Sequence, residues 1–202
     1  MIETSWDGRL CTLTLDRPDK ANALNRAMLG ALAEAVAGTS EASVLVLTGR
    51  GRAFSAGADL AEMQAGLGTD PVWGRASEAL AGFPGLTIAA LNGTLAGGAM
   101  TLALACDLRI AVPGAAFFYP VMRLGHKPQA PDPARLRALI GPARARMLLM
   151  AGVRIGAEAA LAWGLIDRIV AEGALLDEAR ALAADALAAS REHVMTLKEM
   201  TR

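Results

Sequence analysis

The stretch between Glu78 and Asp107 carries no charged residue, and this limits what the chain can fold into more than any other feature. Such a run is long enough to resemble a membrane span, which needs roughly 20 consecutive apolar residues. Pro84, Asn92 and five glycines interrupt it, however, and the segment "LTIAALNG" is typical of a buried strand that ends in a turn. We therefore predict a strand, a glycine turn and an apolar helix within one folded core.

Composition and charge exclude several classes of protein. The 202 residues, 53% of them hydrophobic, suffice for one well-filled core, so we predict a single domain with a helical tail. Twenty basic residues balance twenty acidic ones, and no net field steers the protein to nucleic acid or to an anionic membrane.

The cysteines and the N-terminus indicate the compartment. Cys11 and Cys106 fit neither a metal-ligand spacing nor a disulfide framework, so we predict two buried, inert thiols and no metal site. The N-terminus lacks the basic region and the long apolar stretch of a signal peptide. Together these features predict a cytoplasmic protein.

The first half of the chain alternates strand and helix signals. A hairpin is predicted at the start, turning at Asp7 and Gly8, and Asn25 is predicted to cap a helix that ends at Gly38. The segment "SVLVLTG" at 43–49 is a continuous apolar strand, the type expected when both faces of a sheet are covered. The order strand, loop, helix, strand occurs twice, which predicts an α/β architecture of repeated units stacked on a common sheet.

From residue 132 onward the pattern turns helical. We predict helices over 132–140, 142–150 and 157–163, a short strand at 164–170, and an alanine-rich amphipathic helix after it. We assign residues 1–171 to the core and 172–202 to a short C-terminal helical tail.

Two glycine-rich loops each lead from a strand into a helix. Gly97 and Gly98 lack the Cβ atoms that would keep a ligand oxygen away from the main chain, and Gly98 lies at a predicted helix N-terminus, which favours negative charge. The loop "FSAGADL" at 54–60 offers a second amide, that of Ala58. Two converging N–H groups make an oxyanion hole, in which each donor is worth about 3 to 4 kcal/mol of transition-state stabilisation.

The spacing of the glycines does not by itself exclude other interpretations of these loops. Both are also compatible with ordinary tight turns whose small residues allow close helix packing. A dinucleotide site is less well supported, because neither loop gives G-x-G-x-x-G followed by an acidic residue about 20 positions later.

Four ordered stretches are distributed along most of the chain: "LTLDRPDKANALN" at 13–25, "VLVLTGRGRAFSAGADL" at 44–60, "IAALNGTLAGGAMTLALACDLRIA" at 88–111 and "GAEAALAWGLIDRIV" at 156–170. In sequence and separation they resemble the crotonase (enoyl-CoA hydratase/isomerase) superfamily. The resemblance implies an α/β fold, a crotonase-like spiral of ββα units with a shortened C-terminal helical region. It also implies homotrimers or dimers of trimers.

The resemblance further implies acyl-CoA thioester substrates, with coenzyme A entering as part of the substrate and no permanently bound cofactor. The amides of Ala58 and Gly98 match the positions that clamp the thioester oxygen and stabilise an enolate. The positions that resemble the bed for the CoA nucleotide and pantetheine are Arg17, Lys20, Ala21, Ala23, Ala56, Asp59, Leu60 and Gly97. Arg17 and Lys20 also fit a solvated loop pair.

The chain departs from the family pattern where acid–base catalysis is expected. Hydratases of the family use two glutamates, and the matching positions hold Thr101 and Val121, while the aspartate position of some relatives holds Gln129. Threonine cannot accept a proton near neutral pH and valine cannot accept one at all. We therefore predict isomerisation with a relocated base, or decarboxylation of a malonyl-type thioester, rather than hydration. The alternative is a weak or inert CoA-thioester-binding subunit of an oligomer.

Few side chains are candidates to replace the missing glutamates. His126 titrates in the right range and lies near the second lost position, so it is an alternative acid or base. Tyr119 is predicted to fill the core rather than to bind substrate. Asp132, in "APDPARL", is predicted as the N-cap of the following helix.

Overall fold

The computed structural model describes residues 1–201, which form two β-sheets and the helices that connect them. The strands are β1 (Ile2–Asp7), β2 (Leu10–Leu15), β3 (Val44–Gly49), β4 (Ala53–Ser55), β5 (Leu86–Leu91), β6 (Thr94–Ala96), β7 (Leu108–Ala111), β8 (Ala116–Phe118), β9 (Ile155–Gly156) and β10 (Arg168–Ile169). The helices are α1 (Arg26–Ala37), α2 (Leu60–Gln64), α3 (Val72–Gly82), α4 (Met100–Ala105), α5 (Val121–Leu124), α6 (Asp132–Leu149), α7 (Ala157–Trp163), α8 (Leu175–Leu182), α9 (Ala184–Ala188) and α10 (Arg191–Met200).

The two sheets are built by a repeated unit. The larger sheet has the strand order β1-β2-β3-β5-β7-β10 and the smaller one β4-β6-β8-β9. Three successive strand pairs, β3 with β4, β5 with β6 and β7 with β8, each place the first strand in the larger sheet and the second in the smaller sheet. A helix follows each pair, and the pairings between units are parallel. The α/β architecture of repeated units is confirmed.

The first elements follow their local sequence signals. β1 and β2 form the predicted antiparallel hairpin, but its turn lies at Gly8 and Arg9, one residue later than predicted, because Asp7 still pairs with Leu10. Gly8 has a φ of +60°, which suits glycine. The Asn25 side chain accepts a hydrogen bond from the amide of Met28 and caps α1. Every residue of β3 is buried, as expected of a strand covered on both faces.

The second half agrees with the predicted helices but differs in detail. α6 is broken at Gly141, whose φ of 75° and ψ of 165° are non-helical, so two helical segments meet there as predicted. The predicted strand at 164–170 is reduced to the two residues of β10, and the alanine-rich helix divides into α8 and α9 at Ala183. α8 packs against β5 and β7, so the first helix beyond residue 171 contributes to the core. The boundary assigned there stays a prediction.

The thiols lie in the core. Cys11 is fully buried and Cys106 is 5% exposed, and both are free. Burial raises the pKa of Cys11 to about 11 and that of Cys106 to about 12, which keeps both protonated and unreactive at neutral pH. Within residues 1–201 no cluster of three or more potential ligands could hold a metal ion, and none of the helices there has both the length and the apolarity to cross a membrane.

Candidate active site

A cavity of about 650 Å³ opens between the two glycine loops and the segment that follows β8. Nine of the residues singled out from the sequence line it: Ala56, Ala58, Leu60, Gly97, Gly98, Tyr119, Val121, His126 and Gln129. Trp73, which the sequence did not single out, also contributes to the wall. The fold therefore brings most of the predicted site to one concave surface.

The two glycine loops touch backbone to backbone. Gly57 has a φ of +101°, and a Cβ atom there would lie 2.9 Å from the carbonyl oxygen of Ala96 and 3.4 Å from the Cα of Gly97. Gly97 itself has a φ of +53°. Both positions thus require glycine for conformation, and Gly57 requires it for space as well.

Within residues 1–201, neither the amide of Ala58 nor that of Gly98 has a protein acceptor. Leu24 forms a parallel bridge to Ala58, in which the carbonyl of Gly57 accepts from Leu24 at 2.7 Å and the amide of Asp59 donates to Leu24 at 2.8 Å. Those bonds use the residues on either side and leave the Ala58 amide unbonded. Gly98 is the second residue of a 3-10 turn, Gly97–Ala99, that leads into α4, so its amide has no partner within the turn.

Trp73 explains why residue 98 is glycine. A Cβ atom at Gly98 would lie 2.7 Å from Cη2 of Trp73. The indole is itself fixed, because its Nε1 donates to the carbonyl of Leu67 at 3.0 Å. The sequence suggested that Gly98 serves a ligand's approach, and the structure adds a packing requirement that the sequence did not reveal.

The segment predicted to bed the CoA nucleotide is held against the first glycine loop. The amide of Ala56 donates to the carbonyl of Ala21 at 2.9 Å, and the Arg17 guanidinium donates to the carbonyl of Ala23 at 3.1 Å and to Asp59 Oδ2 at 2.7 Å. Asn22, buried and at a φ of 55°, fixes the turn. Its side chain donates to the carbonyls of residues 50 and 53 and accepts from the amide of residue 17.

The charges of this segment are distributed unevenly. Arg17 is committed to the ion pair with Asp59, and the hydrogen bond from Arg17 lowers the pKa of that carboxyl group below its usual range. Asp59 also caps α2, whose first residue, Leu60, is 78% exposed beside the cavity. Lys20 is exposed on the 3-10 turn Pro18–Lys20.

Thr101 and Val121 occupy different places. Val121 lies in the cavity wall at the start of α5, where it offers only apolar surface. Thr101 is fully buried on α4, and its hydroxyl donates to Asp132 Oδ2 at 2.7 Å. Tyr119 also donates its hydroxyl to that oxygen, at 2.7 Å.

The prediction that Asp132 is an N-cap is wrong. Pro131 occupies the N-cap position of α6, and Asp132 is the first helical residue, with its carboxyl group turned inward to Thr101 and Tyr119. Its side chain is fully buried, and burial raises the pKa of the carboxyl group above its usual range, against the opposing effect of the two hydroxyl donors. The only sequence signal for this role was an acidic residue in "KPQAPDPARL".

The remaining candidates, Tyr119, Gln129 and His126, also line the cavity. Tyr119 is 2% exposed, and its pKa is raised by burial and then by the charge of Asp132. Gln129 donates its amide N–H to the Tyr119 oxygen at 3.4 Å and its Nε2 to the carbonyl of Gly68 at 3.1 Å, so it braces the wall. His126 is exposed at the mouth beside Lys127.

Comparison with known proteins settles the family. Residues 6–202 match the Enoyl-CoA hydratase/isomerase family. The chain is a member of the enoyl-CoA hydratase/isomerase family. The resemblance to the crotonase superfamily is therefore confirmed, and with it the general class of CoA thioester enzymes to which family members belong.

Individual relatives agree with this assignment. A carnitinyl-CoA dehydratase of Salmonella paratyphi A is 36% identical over 214 residues, which take in 100% of this chain and 80% of the relative. An enoyl-CoA hydratase of Mycobacterium marinum is 38% identical and superposes with a TM-score of 0.90 over 99% of this chain and 98% of the other. Subunit I of an enoyl-CoA hydratase from Geobacillus kaustophilus HTA426 is 36% identical, with a TM-score of 0.90 over 98% and 79% of the two chains. The crotonase fold is thus confirmed for this family member.

Proposed function

We propose that the protein acts on acyl-CoA thioesters by holding the thioester oxygen between the amides of Ala58 and Gly98 and stabilising an enolate. One observation carries the proposal: the two unbonded amides lie on touching loops that line a single cavity. Each donor aimed at developing negative charge contributes about 3 to 4 kcal/mol. Main-chain donors held by neighbouring bonds need no reorganisation when the charge forms.

The reaction we favour is isomerase-type or decarboxylase-type. Hydration and its reverse need an acid and a base at the reacting carbons, and Thr101 and Val121 supply neither. Isomerisation needs a single proton carrier, and decarboxylation generates the enolate by loss of CO₂ without a base. Coenzyme A enters as part of the substrate, with the loop that contains Lys20 and Ala21 beside the first glycine loop as its proposed bed.

The clamp is tested by the infrared band of a thioester carbonyl. We expect the band of butyryl-CoA labelled with ¹³C at the carbonyl to move to lower frequency on binding, because two hydrogen bonds weaken the C=O bond. Gly98→Ala should reduce the shift, since the added methyl group collides with Trp73 beside the donor. Gly30→Ala is the matched control, because a Cβ atom there meets nothing within 4 Å. An unshifted band in the wild-type complex would refute the clamp.

A panel of substrates separates the reactions. The arms are migration of a double bond toward the thioester, CO₂ release from malonyl-CoA, and loss of the enoyl absorbance of crotonyl-CoA. We expect one of the first two to exceed the third. Fast loss of the enoyl absorbance would overturn the preference, and a shifted carbonyl band without turnover in any arm would indicate a binding subunit.

We also propose that the protein assembles as a homotrimer or a dimer of trimers, as the family resemblance implies. Sedimentation as a monomer at micromolar concentration would contradict this. A cytoplasmic location stays a prediction from the sequence.

A further inference from the structure

The carboxyl group of Asp132 is buried with one oxygen unsatisfied. Its side chain is 0% exposed, Oδ2 accepts two hydroxyl hydrogen bonds, and Oδ1 has no hydrogen-bond partner within residues 1–201. Buried polar atoms in proteins are nearly always paired, and exceptions often mark functional groups. A carboxyl group that served only to hold helices together would be expected to use both oxygens.

Tyr119 links this carboxyl group to the cavity. Tyr119 is one of the residues that line the cavity, together with Ala58 and Gly98, and its hydroxyl donates to Asp132 Oδ2 at 2.7 Å. The hydroxyl also accepts the amide of Gln129 at 3.4 Å. Tyr119 thus both belongs to the cavity wall and contacts the buried carboxyl group.

The carboxyl group lies next to the position at which the family resemblance implies a glutamate. Thr101 occupies that position, and its hydroxyl is one hydrogen bond, 2.7 Å, from Asp132 Oδ2. In a glutamate at position 101, the carboxylate oxygens would lie at a distance from the γ carbon comparable to the distance between the Thr101 hydroxyl oxygen and Asp132 Oδ2. An acidic group therefore lies beside this position, but its side chain belongs to α6 instead of α4.

We propose that Tyr119 and Asp132 form a proton relay, in which Tyr119 is the catalytic residue that exchanges a proton with the substrate carbon and Asp132 behind it stores that proton. This rests on the proposed enolate chemistry and adds the base that isomerisation requires. Thr101 positions the carboxylate.

The C–H bond beside the thioester breaks and its proton bonds to the Tyr119 oxygen, while the original Tyr119 proton passes to Asp132 Oδ2. The electron pair of the C–H bond forms the enolate double bond, and the charge moves to the thioester oxygen at the amides of Ala58 and Gly98. Return of the proton to the same or the γ carbon restores the carboxylate. Because the pKa of Tyr119 is raised, a standing phenolate is disfavoured and the two transfers occur together.

Few charges act on the stored proton. Burial raises the pKa of Asp132, which makes its carboxylate a stronger base than an exposed one, and Arg135 on the same helix acts in the opposite direction. Arg135 is held by a 2.7 Å bond to the hydroxyl of Ser77 on α3. α4, which packs on α6, offers apolar side chains and Thr101, and the other ionisable group in contact is Tyr119.

The relay is tested by deuterium incorporation at C2 of butyryl-CoA in D₂O. Asp132→Asn keeps the shape and acceptor of the side chain but cannot ionise, and Tyr119→Phe keeps the ring but loses the hydroxyl. Both should slow exchange on the order of 10²- to 10⁴-fold, the usual worth of general acid–base help. The wild-type rate should rise with pH through a midpoint above about 3.9, the ordinary value for aspartate, and Asp132→Asn should abolish that rise.

Thr101→Val distinguishes the relay from a purely structural role of Asp132, because only the relay predicts a change in the pH midpoint of deuterium exchange. The Thr101 hydroxyl lowers the pKa of Asp132, so its removal should shift the midpoint of the exchange profile to higher pH. An unmoved midpoint, or wild-type exchange in Asp132→Asn, would overturn the relay. So would a wild-type complex with a shifted carbonyl band that exchanges no deuterium. These outcomes leave the clamp intact, whereas an unshifted carbonyl band in the wild-type complex would refute clamp and relay together.

Discussion

Asn25 and Asp132 were both predicted to cap a helix, yet only Asn25 behaves as its local sequence predicts. Asn25 caps α1 because its nearest donors are the amides of that helix. Asp132 instead accepts hydrogen bonds from two hydroxyl groups, one on α4 and one in the segment after β8, so its carboxyl group is turned away from the amides of its own helix. The partners of Asp132 lie 31 and 13 residues away in sequence, so no local pattern reveals them.

The buried carboxyl group of Asp132 should make stability fall as pH rises. Its folded pKa is raised, so from about pH 3.9, the unfolded value, up to the folded pKa the native state binds more protons than the unfolded chain. The stabilisation is complete below that window and is lost across it. Asp132→Asn removes this titration. As pH rises across the window, the free energy of unfolding of the variant should therefore increase relative to that of the wild type, by about 1.4 kcal/mol for each unit by which folding raises the pKa of Asp132.

Urea unfolding at a series of pH values measures this difference. Asp19→Asn, on an exposed turn, is the matched control for the loss of a carboxyl group that lies outside the core. A constant difference for Asp132→Asn would show that the carboxyl group titrates normally.

The elements that the sequence predicted well are those whose own pattern determines them. α7 begins and ends at the predicted residues, and β3 is the predicted continuous apolar strand. The smaller sheet was not predicted as a sheet, because its strands are two or three residues long and are defined by pairing with partners about 20 to 40 residues away. For the site, the sequence and the family resemblance located both glycine loops but not Trp73 or the carboxyl group at Asp132.

The contact between α3 and the second glycine loop should make residue 98 intolerant of a side chain. Gly98→Ala places a methyl group 2.7 Å from Trp73 Cη2 and should cost about 1 to 3 kcal/mol of stability, as overpacking does. Gly30→Ala, in the open middle of α1, should stabilise by roughly 1 kcal/mol. Thermal and urea unfolding compare the two.

A double variant identifies the cause. Gly98→Ala with Trp73→Phe should show a favourable coupling energy, because the smaller ring makes room for the methyl group. Purely additive losses would mean that Trp73 is not what excludes the side chain.

At the scale of the whole molecule, one lysine attaches α10 to the core. Lys198 Nζ donates to Asp107 Oδ2 and to the carbonyl of Gly85, each at 2.8 Å, and lies 6.0 Å from the centre of the Phe83 ring. Its side chain is only 10% exposed. Thr87 donates to the same carboxylate, so the tail is tied to the point where β5 begins.

Lys198→Met should loosen this end of the molecule. We expect faster hydrogen exchange of the α10 amides and a loss of about 1 kcal/mol, since the pair is partly solvated. Lys20→Met, at an exposed site, is the control and should leave α10 exchange unchanged. Wild-type exchange in Lys198→Met would show that apolar packing alone holds α10.

The close backbone contact between the two glycine loops has a consequence for how such a protein can diverge. In the proposed clamp the donors are main-chain groups, so replacing a neighbouring side chain does not delete them and a change of pH does not discharge them. Substitutions of cavity-wall residues such as Val121 can then change which acyl chains react, while the loop conformation that polarises the carbonyl stays the same.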